Sequence, residues 1–388
     1  MKGNALLEAA RQLAPELSDR AHEGEGLRTM PSDLVEKVRA AGLFHLGLPA
    51  ELGGFECDPL TILRVIEELS RADGSAGWTT LIGNGTSFVA WLEPEVAKAI
   101  VADKPDFTLS GAFAPTGVAH VDARDGSLIV DGRWAFNSGC RHAEWFMQGI
   151  VVLDGDAPRM IGPDMPDWRF AFFPASEGEI IDTWHVAGLR GTGSHDVVAS
   201  GVRVPPERTT MPFFQPAHFD GPLYQLPFAT MLCSYLSGFP LGVGRRALDE
   251  FATLAATKSR KTPPGPTMAE DEAIQVEQAR AEAAIRSARA FVIEALGEAW
   301  DTVCAGNELS MAQRSTVLLA TLNATRSARA VVDMVFGLAG GGALYNSSPL
   351  QRCARDLAAG TQHIFFSLEQ WKAAGRVLLG RDPGTFMI

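Results

Sequence analysis

His363 is the residue of this sequence whose type and setting most directly suggest chemistry. It follows Gln362 in the stretch RDLAAGTQHIFF, residues 355–366, where a helical pattern runs into apolar residues. An imidazole titrates near neutral pH, so it can accept a proton or donate a hydrogen bond under working conditions. The alternative is a histidine that is hydrogen-bonded in the core or at a subunit contact. The residue pattern alone leaves both interpretations open.

Other kinds of site lack the residues they need. The five cysteines are scattered without a CxxC pair, which suits a reducing compartment and predicts a cytoplasmic protein. Cysteine and histidine nowhere cluster at metal-ligand spacing, so no metal site is expected. The glycines at 340–342 and the Gly191-Thr192-Gly193 stretch lie outside any βαβ pattern, so neither is a nucleotide-binding fingerprint.

Net charge and hydropathy argue against several classes of binding partner. The net charge of −12 and the pI near 5.2 argue against binding to nucleic acid or to an anionic membrane surface. Apolar runs fall short of the roughly 20 residues that span a bilayer. The amphipathic start of the chain lacks the apolar region of a secretory signal.

The elements that must position His363 form three segments. The 388 residues are too many for one core. Apolar residues recur at helical spacing in residues 1–105 and again in residues 213–388, where long Ala-rich helices predict an antiparallel bundle. Residues 106–212 are rich in β-formers and predict a small barrel or sandwich. Within them, GSLIVDGRWAFNSG predicts a hairpin that turns at Asp131-Gly132.

The order of helices, strands and helices at this length resembles the acyl-CoA dehydrogenase fold over nearly the whole chain. Four stretches carry the resemblance in the family's order, namely residues 111–119, 130–146, 184–209 and 335–363. The resemblance implies an α+β multidomain protein. It would have an N-terminal helical domain, a middle β-barrel and a C-terminal four-helix bundle.

The catalytic base of an acyl-CoA dehydrogenase is missing. That reaction needs a carboxylate to remove the proton beside the thioester carbonyl. Laying Arg355-Asp356 on the family's Arg-Asp pair puts Ile364 at the usual base position. The position used by a minority of the family, in LCSYLSGFPLG, falls on Leu232. Because both residues are apolar, dehydrogenation of an acyl-CoA is not expected.

A branch of the same fold fits better. W-x-F-x-S-G, G-L-R-G-T-G-S and a C-terminal R-D…H are all present, and they resemble the two-component flavin-dependent monooxygenases. This resemblance implies an enzyme that takes reduced flavin from a separate flavin reductase and reacts it with O2. Through a flavin hydroperoxide it would hydroxylate an aromatic or polycyclic small molecule. FMN is favoured and FAD is the alternative, and a homotetramer or homodimer is expected.

The resemblance also implies the site residues. His363 would deprotonate a phenol or hold the peroxide by a hydrogen bond, and Ser138 would hydrogen-bond the reactive flavin nitrogen. The residues expected at the flavin are Phe113, Trp134, Phe136, Asn137, Ser138, Arg260 and Gly341. Those expected at the substrate are Trp184 and His142.

Each of these assignments has a structural alternative. Asn-Ser-Gly is common turn chemistry, and buried tryptophans are often core residues. Arg260 could be an exposed cation at a helix end, Gly341 a helix cap and His142 a support for its loop. Two rival functions also stay open. They are an acyl-CoA dehydrogenase with a displaced base, and a non-catalytic member of the fold that binds a ligand or partner.

Overall fold

The computed structural model describes residues 2–259 and 265–388. Its N-terminal part consists of six helices, and the last of them ends shortly before the first strand. Asp58 illustrates why they begin where they do, because its carboxylate accepts the N–H of Thr61 and caps α4 ahead of Pro59. The helices are α1 Lys2–Asp19, α2 Ala21–Leu27, α3 Ser32–Ala40, α4 Pro59–Ala72, α5 Gly74–Gly83 and α6 Pro94–Asp103.

The middle of the chain is a mixed sheet. Strand β1 pairs in parallel with β3 and antiparallel with β2, and the hydrogen-bonded order is β10-β7-β3-β1-β2-β9-β8. Strand β4 pairs with β3, while β5 and β6 form a separate pair. The strands are β1 Leu109–Val121, β2 Leu128–Asn137, β3 Trp145–Asp154, β4 Ala157–Pro158, β5 Met160–Gly162, β6 Met165–Pro166, β7 Trp168–Pro174, β8 Glu179–Ile181, β9 His195–Val204 and β10 Thr209–Thr210.

The sheet packs around an apolar core of its own. In the part of the chain that the structure describes, its two edge strands, β10 and β8, do not pair with each other. Within the described residues, the ladder runs from β10 to β8 without closing, so this β domain is an open mixed sheet. Its buried core centres on Trp134, Phe146 and Phe173. The predicted α+β architecture of helices, a β domain and helices is confirmed.

The hairpin predicted at Asp131-Gly132 was wrong. Strand β2 runs through both residues, with an irregularity in its register there, and the chain turns instead between Asp122 and Ser127. Gly132 is needed for close approach rather than for a turn. A Cβ on it would lie 2.6 Å from the Cα of Gly117 and 2.8 Å from the ring of Trp134.

The C-terminal part is a set of helices that shares its core with the N-terminal ones. Helix α4 packs on α8, and one apolar cluster runs through both groups. The helices are α7 Phe228–Leu236, α8 Gly238–Thr257, α9 Glu272–Cys304, α10 Met311–Ala339, α11 Pro349–Gly360 and α12 Leu368–Leu378.

Helix α10 is long and apolar enough to cross a bilayer by length and composition. It packs against α8, α9, α11 and α12, as the central helix of a bundle does. Its start is fixed by a capping box between Ser310 and Gln313. Packing inside the bundle accounts for part of this apolarity, because 33% of its most apolar window is buried.

Candidate active site

The end of β2 presents the exposed ring of Phe136 beside the buried hydroxyl of Ser138. Phe136 has a left-handed backbone, φ 67°, and its side chain is 71% exposed. The buried amide of Asn137 holds this bend, because its Nδ2 donates to the carbonyl of Trp134 and its Oδ1 accepts from Gln148. A strained residue with an exposed aromatic ring is a functional-site signal.

Ser138 begins a chain of buried hydroxyl groups. Its Oγ lies 2.7 Å from the Oγ of Ser194, which lies 2.6 Å from the Oγ1 of Thr192. The Oγ1 of Thr192 donates to the carbonyl of Leu189 at 2.8 Å. The chain thus links the end of β2 to the loop before β9.

Leu189 is the anchor of that loop. It has a left-handed backbone, φ 52°, and its N–H donates to the carboxylate of Asp356 on α11 at 2.6 Å. Its carbonyl also accepts from the indole N–H of Trp184 at 2.9 Å. Side chains from two parts of the fold therefore hold a conformation that leucine rarely adopts.

Trp78, on α5, connects Ser138 to His363. Its Nε1 donates to the Oγ of Ser138 at 3.1 Å. Its ring meets the ring of His363 edge-on, with centroids 5.8 Å apart, and meets Phe239 edge-on at 4.9 Å. The two residues predicted to be catalytic thus contact opposite parts of one buried indole.

The imidazole of His363 is electrically neutral in this setting. The ring lies among Trp78, Phe365 and Phe366, and burial lowers its pKa to about 4. Its Nδ1 accepts the N–H of Phe365 in a long hydrogen bond of 3.4 Å, so this tautomer carries its proton on Nε2. His363 is therefore arranged as a hydrogen-bond donor.

Two buried carboxylates lie behind the loop. Asp356 is 2% exposed, and burial together with the charge of Asp73 raises its pKa to about 7. Burial also raises the pKa of Asp73, whose carboxylate caps α5 by accepting the N–H of Ala76. Like charges in a dry site disfavour double ionisation, so each carboxylate raises the pKa of the other.

The side chains of Trp134 and Asn137, both predicted at the flavin, lie inside the protein, and a flavin contact at either residue stays a prediction. Trp134 is fully buried in the core of the sheet, where its Nε1 donates to the carbonyl of Gly149. Asn137 is also fully buried, and both ends of its amide are engaged within the protein. The left-handed backbone at Phe136 and the register shift between Trp134 and Asn137 interrupt the alternation of β2, so both of these side chains turn inward while that of Phe136 stays outside.

Phe113 and His142 also lie in structural surroundings. The ring contacts of Phe113 are with Phe88, Phe170, Phe213 and Phe228, away from Phe136 and Trp184. It belongs to an apolar cluster between β1, β7 and α7, and its contact with the flavin stays a prediction.

His142 bonds through its Nε2 to the hydroxyl of Thr29 at 2.9 Å. Burial, reinforced by the charge of Arg39, lowers its pKa to about 4. This hydrogen bond joins its loop to the N-terminal helices, and its contact with the substrate stays a prediction.

The remaining predicted residues are placed as follows. Trp184 is half-buried and meets Phe136 edge-on, with ring centroids 6.3 Å apart. Gly340 ends α10 with φ 68°, and a Cβ on Gly341 would meet nothing within 4 Å. A flavin contact at Gly341 stays a prediction. Arg260 lies outside the described residues.

The positions of the dehydrogenase base hold no carboxylate. The side chain of Ile364 is 55% exposed and follows His363 directly, while Leu232 is buried in α7. The polar groups gathered near His363 and Phe136 are the indoles and hydroxyls described above. Among the described residues, neither base position supplies a carboxylate that could abstract a proton from carbon, and the groups named above can position and hydrogen-bond a ligand.

Comparison with known proteins decides the family. The chain matches the family described as acyl-CoA dehydrogenase, N-terminal domain, over residues 3–93 and its C-terminal domain over residues 234–368. It is 34% identical to indole-3-acetate monooxygenase of Pseudomonas putida, over 98% of this chain and 93% of that protein. The chain belongs to the two-component flavin-dependent monooxygenases with the acyl-CoA dehydrogenase fold.

Two further relatives agree with this family. The FADH2-dependent resorcinol hydroxylase, oxygenase component, of Rhizobium sp. is 29% identical over 94% of this chain and 91% of that protein. The crystal structure of the HsaA monooxygenase from M. tuberculosis superposes with a TM-score of 0.90 and 29% identity, covering 100% of both chains. The chain is thus a flavin-dependent oxidoreductase, and it corresponds to the oxygenase component of such systems.

The sequence alone did not identify the residues that connect the separate parts of the site. Trp78 lies in a helix rich in small residues that carried no motif, and Asp356 served only to align the Arg-Asp pair. Thr192 and Ser194 stood within the quoted GLRGTGS. A run of small hydroxyl residues between glycines was the one available signal, because such residues are buried only where they find hydrogen-bond partners.

The residues present fit a flavin. A flavin ring needs an apolar surface to lie on and a hydrogen-bonding group at its reactive nitrogen. The exposed ring of Phe136 supplies an apolar surface, and the neighbouring hydroxyl of Ser138 supplies a hydrogen-bonding group. Strain at Phe136 gives independent support, since an exposed aromatic residue with positive φ is costly in the protein alone.

Proposed function

We propose that this protein hydroxylates an aromatic small molecule with O2 and reduced flavin, which a separate flavin reductase supplies. One observation carries the proposal. The base positions Ile364 and Leu232 are apolar, while Trp78 joins Ser138 to His363 beside the exposed Phe136. Two relatives are named for oxidation of indole-3-acetate and resorcinol, which are both aromatic.

The protein's own groups bind and orient in this proposal. The flavin, when bound, supplies the oxygen chemistry. Phe136 and Trp184 give the ring an apolar surface, and Ser138 hydrogen-bonds its reactive nitrogen. His363 donates from Nε2 to an oxygen atom of the substrate, because the tautomer set by Phe365 carries the proton there. The rings of Trp78 and Phe365 pack against His363 and hold the imidazole in place.

Reduced FMN is the proposed flavin, as the resemblance to the family implies. The resorcinol hydroxylase is FADH2-dependent by name, so FAD is titrated beside FMN. Oxidised and anaerobically reduced forms of each are added to the protein, and the quenching of tryptophan fluorescence is followed. Tighter binding of reduced FAD than of reduced FMN would replace FMN in the proposal.

The function is tested with 18O2, an unrelated flavin reductase, NADH and FMN. Indole-3-acetate and resorcinol are the first substrates, followed by a panel of phenols. We expect one 18O atom in the product by mass spectrometry, and no product when flavin is omitted. Reduction of an artificial electron acceptor by an acyl-CoA without any reductase would instead establish the dehydrogenase alternative.

We also propose a cytoplasmic homotetramer or homodimer that forms through the C-terminal helices. Large apolar side chains crowd this region while 55–83% exposed, and they are Leu344, Tyr345, Ile364, Leu368, Leu378 and Leu379. Apolar exposure of this extent is typical of a subunit interface. Light scattering after size exclusion should give a multiple of the 41.6 kDa chain, and a monomer at micromolar concentration would contradict the proposal.

A further inference from the structure

The hydroxyl chain between Ser138 and Leu189 has a fixed direction. All three hydroxyl residues are buried, with Thr192 fully so and Ser138 and Ser194 each 3% exposed. The chain ends at the carbonyl of Leu189, which can only accept a hydrogen bond. Each hydroxyl has one proton to give, so the direction of every bond follows from that end.

The proton of Thr192 goes to the carbonyl of Leu189. Thr192 must therefore accept from Ser194 across their 2.6 Å contact, which uses the only proton of Ser194. Ser194 must in turn accept from Ser138 across their 2.7 Å contact. At the other end, the indole N–H of Trp78 can only donate, so Ser138 accepts it. The hydroxyl proton of Ser138 is therefore used in its bond to Ser194. After accepting from Trp78, its oxygen has one lone pair left to accept a further hydrogen bond.

The end of the chain cannot reverse, because Leu189 is held on both sides. Its N–H is bound by Asp356, and its carbonyl accepts from Trp184 as well as from Thr192. Rotating the peptide unit that carries this carbonyl would break its bonds from Trp184 and from the hydroxyl and the N–H of Thr192 in a buried site, where unpaired polar groups cost most. The direction of the chain is thus a property of the fold.

We propose that Thr192 and Ser194 are positioning residues which fix Ser138 as a hydrogen-bond acceptor and so make the site select reduced over oxidised flavin. Reduced flavin carries a proton on N5 and can donate to Ser138. Oxidised flavin has an unprotonated N5, which needs a donor that Ser138 cannot supply. The inference rests on the proposed function, in which Ser138 faces this nitrogen.

Thr192→Val tests the hydroxyl chain at the end far from Ser138, the residue proposed to face the flavin. Valine matches threonine in shape, but it removes the donor to Leu189 and the acceptor for Ser194. Ser194 and Ser138 can then reverse, and Ser138 can donate. We expect the ratio of dissociation constants, oxidised FMN over anaerobically reduced FMN, to fall about fivefold to tenfold. Thr192→Ser keeps the hydroxyl and should keep the wild-type ratio.

A matched control separates this effect from the general cost of losing a buried hydroxyl. Thr86 is fully buried and makes one side-chain hydrogen bond, to the carbonyl of Phe44. Thr86→Val should lower thermal stability about as much as Thr192→Val while leaving the FMN ratio at its wild-type value. A Thr192→Val protein that keeps the wild-type ratio would overturn the proposal, as would a wild-type ratio near one.

Two more variants separate this inference from the proposed function. Ser194→Ala removes the acceptor of the Ser138 proton and should lower the ratio of dissociation constants as Thr192→Val does. It therefore tests the same inference if the Thr192→Val protein fails to fold. Ser138→Ala should weaken reduced FMN more than oxidised FMN. If Ser138→Ala changes neither affinity, the proposed flavin site fails. If Ser138→Ala lowers the ratio while Ser194→Ala does not, the proposed flavin site stands and only the inference about the direction of the chain is refuted.

Discussion

Asp356, on helix α11, accepts the backbone N–H of Leu189 at 2.6 Å and so fixes the loop that carries Thr192. A carboxylate of the C-terminal helices thereby sets the backbone of a β-domain loop. Because Leu189 has φ 52°, the loop depends on this bond to stay in its conformation. The first two predictions concern this pair.

Replacing Asp356 by alanine should loosen the loop, while asparagine should preserve it. Alanine leaves the N–H of Leu189 buried without a partner, a loss worth about 1–3 kcal/mol. The amide oxygen of asparagine can still accept that N–H. We expect amide hydrogen exchange over residues 187–194 of the flavin-free protein to accelerate at least tenfold in Asp356→Ala and to stay near wild type in Asp356→Asn. Equal protection in all three proteins would show that the bond does not hold the loop.

The stability of Asp356→Asn relative to wild type should rise with pH. The pKa of Asp356 is about 7 in the fold against an ordinary value of 3.8, so the folded chain binds more protons between these values. Wild-type stability therefore falls as pH increases through that window, and asparagine removes this loss. Asp73 and Glu25 act with burial to raise the pKa, and Arg355 opposes them.

The comparison is made by denaturant unfolding at pH 5 and pH 8. We expect the free energy of unfolding of Asp356→Asn, minus that of wild type, to increase by about 1–3 kcal/mol between the two. Asp333→Asn, on the exposed surface of α10, is the control. A constant difference across this range would mean that the carboxylate pair is ionised in the fold.

His363 should act in its neutral form. With a pKa of about 4, it does not titrate between pH 5.5 and pH 8, so kcat should show no histidine ionisation in that range. His363→Ala should lower kcat about 100-fold. Glutamine keeps an N–H donor, so His363→Gln should lose clearly less. A kcat inflection near pH 6.5 that disappears in His363→Gln would identify the imidazole as a base instead.

Phe136 and Trp134 should respond oppositely to mutation although only one residue lies between them. Phe136→Ala removes an exposed ring, so FMN binding should weaken about tenfold while unfolding changes by less than about 0.5 kcal/mol. Trp134→Phe removes part of a fully buried side chain and leaves the carbonyl of Gly149 unpaired. It should lose about 1–3 kcal/mol of stability and keep its FMN affinity. FMN titration and thermal melting measure both effects.

Much of the fold was readable from the sequence. Helical periodicity and β-forming runs predicted helices, then strands, then helices, since those patterns reflect which face of each local element is buried. The Asp131-Gly132 hairpin failed because a glycine that permits close packing against Gly117 looks the same in sequence as a glycine that makes a turn. The four quoted stretches predicted the family, which the relatives confirmed.

By itself, the sequence determined the class of fold and the family, and it placed apolar residues at Ile364 and Leu232, where a dehydrogenase needs a carboxylate. These depend on residue type and order along the chain. Only the tertiary structure decided which side chains meet. Trp78, Leu189 and Asp356 lie far apart in sequence, and the hydrogen bonds that organise the site join them across three parts of the fold. The direction of the hydroxyl chain follows from those bonds, because each proton can be given only once.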